Sequence, residues 1–417
     1  MANMITIFGI VFSLLLFSCN RSEDDFIPIP NPCDTCQVLN SKLQLIWQEP
    51  LWIDTGHYNS FDPIYWNHNV LFSAKIDGRE ILRMRNANTG KLIWEWNEHL
   101  SPNNRFSHSK FVHKGNLIYC TSNEVYSINL ETGQTIWGYK NPTGAGSPFI
   151  NVIGDYVYHV HEPFGVKDSV VFLVRAHVDV GVWDTIYSVK TQNGYTPSLH
   201  PPGFWVNPQG DTILFFQNRQ WNFPAGDGQI DLIAYNLTKG STLYEIIDLD
   251  PQGDSNVRPP LIWEDKIYFI GVRTVYCIDA PTGEIIWKKY FSEVGEHLWT
   301  CNILIAENKL IVNPDNQNLY ALNPHTGEEI WKETNSGSTC WDDMVFYKGI
   351  VYFGSWGEGR LYAVDAQTGE HIWAEQSPNK AKDSRANINT GVAINPDLGY
   401  IYTADGFFAM CIKLPER

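Results

Sequence analysis

The sequence predicts an all-β fold: an eight-bladed β-propeller of four-stranded antiparallel blades, closed by pairing strands from the two ends of the chain. Two observations carry this. First, a threonine-glycine pair is followed, four residues after the glycine, by tryptophan at Thr89-Gly90…Trp94, Thr132-Gly133…Trp137, Thr282-Gly283…Trp287, Thr326-Gly327…Trp331 and Thr368-Gly369…Trp373. Counted from Trp94 to Trp137, Trp287 to Trp331 and Trp331 to Trp373, adjacent copies stand 43, 44 and 42 residues apart. A fixed period near that length marks a propeller or another repeat array. Second, a short turn leading into a strand rich in Ile, Val, Tyr and Phe recurs eight times, beginning near His68, Gly115, Gly154, Gly210, Asp265, Asn308, Lys348 and Leu398.

Each repeat makes sense as a β-hairpin. In the copy from Leu361 to Trp373, Tyr362 and Val364 alternate with their neighbours as a strand requires. Asp365 can bond nearby backbone amides and start the turn. Gly369 supplies the left-handed conformation that closes it, and Trp373 offers a large flat ring for burial against a neighbouring unit. Two copies are degenerate: one spans 170–189 with Asp179-Val180-Gly181 at its turn, the other 230–249 with Lys239-Gly240. The last unit stops after 407–413 and lacks a fourth strand, whereas Leu43-Gln-Leu-Ile-Trp47 is a strand without a blade. Pairing the two closes the ring and removes its open ends. The predicted organisation is a signal peptide over 1–18, a tether over 19–41 and the propeller over 42–415. Trp47, Trp94, Trp137, Trp287, Trp331 and Trp373 are the expected blade-docking residues.

The motif Tyr-Ala-x-Asp-x-x-Thr-Gly-x-x-x-Trp, complete at 362–373, resembles the pyrroloquinoline-quinone-type β-propeller repeat, over nearly the whole mature chain. The resemblance implies tryptophans docked between blades. It implies two kinds of activity: quinoprotein alcohol dehydrogenases, and non-catalytic members such as the propeller lipoprotein of the outer-membrane barrel-assembly machine, which this chain resembles. The repeat itself is structural and does not choose between them.

Ile5 to Phe17 is an apolar run of 13 residues, too short to span a bilayer and suited to a signal-peptide core. Leu16-Phe17-Ser18-Cys19 resembles a bacterial lipoprotein processing box, which makes Cys19 the expected lipidation site, although no Lys or Arg precedes the apolar run. The acidic stretch Glu23-Asp24-Asp25 reads either as a surface-export signal or as a solvated tether. Pro28, Pro30 and Pro32 form a semi-extended spacer. The expected location is the bacterial outer membrane, reached through lipid alone, with exposure at the cell surface as the variant.

Thirty basic against 46 acidic residues give a net charge of -16, which argues against nucleic acid and against an anionic membrane surface as partners. Of the eight cysteines, Cys120, Cys277 and Cys411 fall on apolar strands and read as buried small residues. Cys33 and Cys36 read as a local staple in the tether. Cys301 and Cys340 open neighbouring blades, and their pairing stays open, since bridging demands close Cα atoms.

Polar groups that precede the innermost strands of a propeller converge on one mouth of its channel. The candidates there are His108, Arg258, Trp299, Asn302, Trp341, Asp342, Asp343, Arg385 and Asn389. Both charge signs and two indoles suit a polar small molecule or sugar; the bland alternative is that these groups satisfy one another and channel water. His159 and His161 share a strand face, but no third metal ligand is evident nearby. Quinoprotein dehydrogenases cover their quinone with a disulfide between adjacent cysteines, and this chain has no Cys-Cys pair. No calcium ligand can be carried over residue by residue. The expected function is a non-catalytic binding or scaffolding protein of the cell envelope, monomeric, with an envelope protein as partner and no cofactor. The alternatives are a surface receptor for a sugar or small ligand, and a dehydrogenase using pyrroloquinoline quinone with calcium, in which Asp342 or Asp343 would be the general base.

Overall fold

A computed structural model describes residues 43–51, 62–76, 79–100, 109–121, 123–141, 149–162, 169–190, 195–222, 227–250, 258–292, 298, 302–334, 336–337, 343–355, 359–380, 383–388 and 390–414. Cys19, both tether cysteines, Cys301 and Cys340 lie outside them. Among the described residues the regular elements are all strands, arranged as eight antiparallel sheets. This is an eight-bladed β-propeller.

Blade 2 shows the plan. Ser109–His113, Asn116–Cys120, Glu124–Asn129 and Thr135–Lys140 pair in chain order. The first turn is tight and left-handed, with Lys114 at φ 49° and Gly115 at φ 83°, the conformation that matches the strands' twist in a two-residue hairpin. Both middle strands are almost wholly buried, while the fourth alternates between half-buried and exposed. The sheet is therefore covered on both faces near the axis and open at its rim.

Blade 8 is completed from the other end of the chain. Gln44–Pro50 pairs antiparallel with Phe408–Lys413, with Gln44 opposite Lys413 and Pro50 opposite Phe408. The strand without a blade is thus the fourth strand of the last blade, and the closure read from the sequence is present.

Apolar clusters fill the wedges between blades. Between blades 8 and 1, Trp47 lies against Phe72 and Tyr402, with ring centroids 6.2 and 6.1 Å apart. Its indole N–H donates to Ala87 O at 2.8 Å. The same lock recurs from blades 1, 2, 5 and 6 to the turn between the third and fourth strands of the next blade. Trp94 bonds Leu130 O, Trp137 bonds Val178 O, Trp287 bonds Pro324 O and Trp331 bonds Ala366 O, at 2.7–3.3 Å. Each ring lies flat on that turn's glycine: a Cβ on Gly133 would sit 2.7 Å from the Trp94 ring. The threonine-glycine motif is therefore conformational and steric at once, since Gly133 has φ +73° and no room for a side chain.

Blade 4 keeps the lock with a tyrosine. Tyr244 donates to Ala280 O at 2.8 Å and its ring covers Gly283. Trp373 is buried between blades 7 and 8, among Met410, Ile412 and the flanking Leu43 and Leu45. It has no such turn to dock on, because in blade 8 that position is the junction between the two chain ends.

One feature has no counterpart in the sequence reading. The first strand of blade 4 is split into Thr196–Leu199 and Gly203–Val206, both pairing along the 11-residue strand Thr212–Asn222. Pro201 and Pro202 stand in the gap, where they remove two backbone donors from the ladder. Trp205 anchors the extra piece to blade 5 through Asp265 at 2.6 Å.

Candidate functional site at the channel mouth

First strands lie next to one another across blade boundaries, as between blades 8 and 1 and between blades 2 and 3, and Asn151 of blade 3 donates to Pro202 O of blade 4. The residues just ahead of those strands therefore meet around one opening.

Three of the residues singled out from the sequence are brought together there. Arg258, ahead of blade 5, donates to Asp343 Oδ1, ahead of blade 7, at 2.6 Å. Asn302, ahead of blade 6, donates to the same oxygen at 3.0 Å. The Arg258 guanidinium also lies 6.0 Å from the Phe149 ring of blade 3. Arg385 goes elsewhere: it pairs with Asp383 at 2.8 Å and lies over Phe407. His108, Trp299, Trp341, Asp342 and Asn389 lie outside the described residues.

A fourth residue, absent from the candidates that the sequence offers, completes the constellation. Asp62, ahead of blade 1, accepts the backbone N–H of Asp343 at 2.8 Å and that of Gly391, ahead of blade 8. A Cβ on Gly391 would fall 2.7 Å from the Asp62 carboxylate, so only glycine lets the backbone come so close. Burial raises the Asp62 carboxyl above the ordinary aspartate range; the Lys110 ammonium opposes this and the Asp343 charge adds to it. A signal for Asp62 existed. Asp62, Asn302 and Asp343 each stand seven residues ahead of their blade's second strand, which begins at Asn69, Lys309 and Ile350.

The arrangement is a belt of polar bonds joining blades 5, 6, 7, 8 and 1. It offers donors and acceptors to a polar ligand. Asp343, with its side chain 54% exposed, is the group most open to solvent. Among the described residues no three His, Cys, Asp or Glu side chains are grouped to hold a metal ion. His159 and His161 are buried beside Trp183, with His161 stacked on Tyr139. Burial pushes the His161 pKa down to about 4. Cys120, Cys277 and Cys411 are buried free thiols, and burial raises the pKa of each.

Comparison with known proteins agrees with this architecture. A family model described as "Outer membrane protein assembly factor BamB" matches residues 226–405. The assembly factor BamB of Shewanella oneidensis is 21% identical over 244 residues, 56% of this chain and 54% of that protein, so the match spans about half the length of the curated relative. Among solved structures, BamB from Moraxella catarrhalis superposes with a TM-score of 0.54 at 12% identity, covering 87% of this chain and 98% of that one. The quinohemoprotein alcohol dehydrogenase from Comamonas testosteroni gives 0.64 at 11% identity, over 90% and 78%. The computationally designed Ika8 protein gives 0.59 at 12% identity, over 90% and 98%. The class is thus a repeat-built eight-bladed propeller. Residues 226–405 are similar to the pyrroloquinoline-quinone-type β-propeller repeat family through that model.

Proposed function

We propose that this protein is a non-catalytic binding or scaffolding propeller of the bacterial cell envelope, anchored through lipid on Cys19 and docking an envelope protein. The observation that carries the reading is the belt at the channel mouth. Arg258, Asn302, Asp343 and Asp62 use their bonding capacity to tie blades to one another. Asp343 Oδ1 accepts from two donors that belong to two other blades, as a tie between blades does. The absence of adjacent cysteines in the sequence favours the same reading. The similarity to BamB supports an envelope partner.

Mild crosslinking of the full chain in intact cells, followed by purification, tests the reading. A stoichiometric envelope protein is the expected result. Saturable binding of a free sugar, with no protein recovered, would replace this reading with the receptor. Turnover of an alcohol after addition of pyrroloquinoline quinone and calcium would overturn it. Cys19→Ser should abolish fatty-acid labelling and release the protein from membranes; label that persists would remove the anchor from the proposal.

A further inference from the structure

Seven blades carry a glycine turn between their third and fourth strands, at Gly90, Gly133, Gly181, Gly240, Gly283, Gly327 and Gly369, all with φ between +68° and +80°. Six of these turns are covered by an aromatic ring of the preceding blade, at 2.6–2.9 Å from where a Cβ would stand. The turn of blade 4 is not. It is built like the others: Gly240 N–H donates to Asn236 O at 2.8 Å, and Asn236 Oδ1 accepts the Lys239 N–H at 2.9 Å. Yet among the described residues a Cβ on Gly240 would meet only the Tyr235 hydroxyl, at 3.8 Å. Gly240 is exposed and Leu237 is half-buried, whereas Ala87, Leu130, Val178, Ala280, Pro324 and Ala366 in the matching position are all buried.

The cause lies in the fourth strand of blade 3. In blade 2 the bulge sits close to the turn, so Trp137, opposite Ser127, follows Gly133 by four residues. In blade 3 the bulge is further along, and Tyr187, opposite Leu173, follows Gly181 by six. Tyr187 therefore packs on Phe216 and Tyr235, at 5.2 and 5.6 Å between centroids, and does not lie on the Gly240 turn.

We propose that the Asn236–Gly240 turn is a docking niche for a tryptophan side chain presented by a partner polypeptide. The occupant is specified by the molecule's own six copies: five are tryptophan and one is tyrosine, and each donates an N–H or O–H to the carbonyl three residues ahead of the glycine. Leu237 O stands in that position here. A flat ring gains stacking area on the glycine and one directed bond, which is why buried Trp and Tyr anchor protein interfaces. Leu243, on the return strand of the same hairpin, is 47% accessible.

The proposal rests on the reading that the protein docks a polypeptide, but the niche can be tested without that partner. The probe is N-acetyl-tryptophanamide, titrated into the full chain carrying 13C-labelled leucine methyls. The expected result is a saturable ring-current shift at Leu237 with none at Leu130, whose turn is already covered. Gly240→Asn, a residue that tolerates the left-handed conformation, should weaken it more than tenfold. N-acetyl-phenylalaninamide, which lacks the side-chain donor, should bind the unaltered protein at least threefold more weakly. No shift at Leu237, an equal shift at Leu130, or equal binding of the two amides would overturn the niche. Self-association in sedimentation that Gly240→Asn abolishes would assign it to a second copy and overturn the partner. Failure of the crosslinking experiment, with the Leu237 shift intact, would instead remove the envelope partner and leave the niche.

Discussion

Asp62 accepts the backbone N–H of Asp343 at 2.8 Å across 281 residues of sequence. The bond joins the start of blade 1 to the start of blade 7, and a second from Gly391 adds blade 8. The ring is thus closed twice, by a strand ladder at its rim and by a carboxylate at its axis. Because the folded-state pKa of Asp62 is raised, its ionised form is disfavoured in the folded state. That contribution to stability is greatest below the unfolded aspartate value and is lost as pH rises through the folded one. Denaturation of the wild type and Asp62→Asn from pH 4 to 8 should therefore show the difference moving in favour of the variant as pH rises. A difference that is flat, or moves the other way, contradicts this account.

Asp343→Ala should remove the acceptor that Arg258 and Asn302 share. Because Asp343 is half-exposed, the loss of global stability should be small, about 1 kcal/mol. The local effect should be larger: faster hydrogen exchange at 258–262 and 302–304, with the turns at Gly133 and Gly369 unchanged.

Trp287 is buried, bonds Pro324 O at 2.9 Å and covers Gly327. Trp287→Ala should cost about 3–5 kcal/mol. Trp287→Phe keeps a ring but loses the donor, and should cost less. Gly327→Ala acts from the other side, through φ +73° and a contact at 2.6 Å. Thermal unfolding of the three variants measures the order. The double variant Trp287→Ala with Gly327→Ala should cost less than the sum, because the ring that clashes has gone.

His161 gives the protein an acid-sensitive joint between blades 2 and 3. Its imidazole is 7% exposed, and burial lowers its pKa from 6.5 to about 4. A depressed histidine supports the fold above pH 6.5, and that support is lost as pH falls toward 4, up to roughly 3 kcal/mol. Glu162, raised by burial to about 7, works in the opposite sense, favouring the fold at low pH and losing that contribution as pH rises from 4.5 through 7. His161→Phe should flatten the acid side of the stability profile, as unfolding midpoints from pH 4 to 7 would reveal.

The rim of each blade was legible because its logic is local. A cap at Asp365, a glycine at 369 and a tryptophan at 373 lie within nine residues, and each does in the structure what its chemistry suggested. The eighth blade was legible because Trp47 repeats the pattern without a hairpin of its own. The channel mouth was legible only as a set of positions. Arg258, Asn302 and Asp343 could be placed at successive strand starts, but Asp62 meets its partners through ring closure. No local pattern records a bond across 281 residues. The split first strand of blade 4 is not legible for another reason: Pro201-Pro202 reads as a break between elements, while the long neighbouring strand carries both pieces past it.

The seam in blade 8 has a mechanical side. Gln44 lies opposite Lys413, so both ends of the chain leave the sheet at the same end of one antiparallel ladder. A load drawn through the residues ahead of Gln44 meets the ladder's bonds one after another, as in opening a zip, and does not shear them all together. Trp47, whose ring is seated on Gly90 of blade 1, is three residues into that path. It acts as the first stop: the ladder can fray as far as Leu45 while the ring itself stays locked.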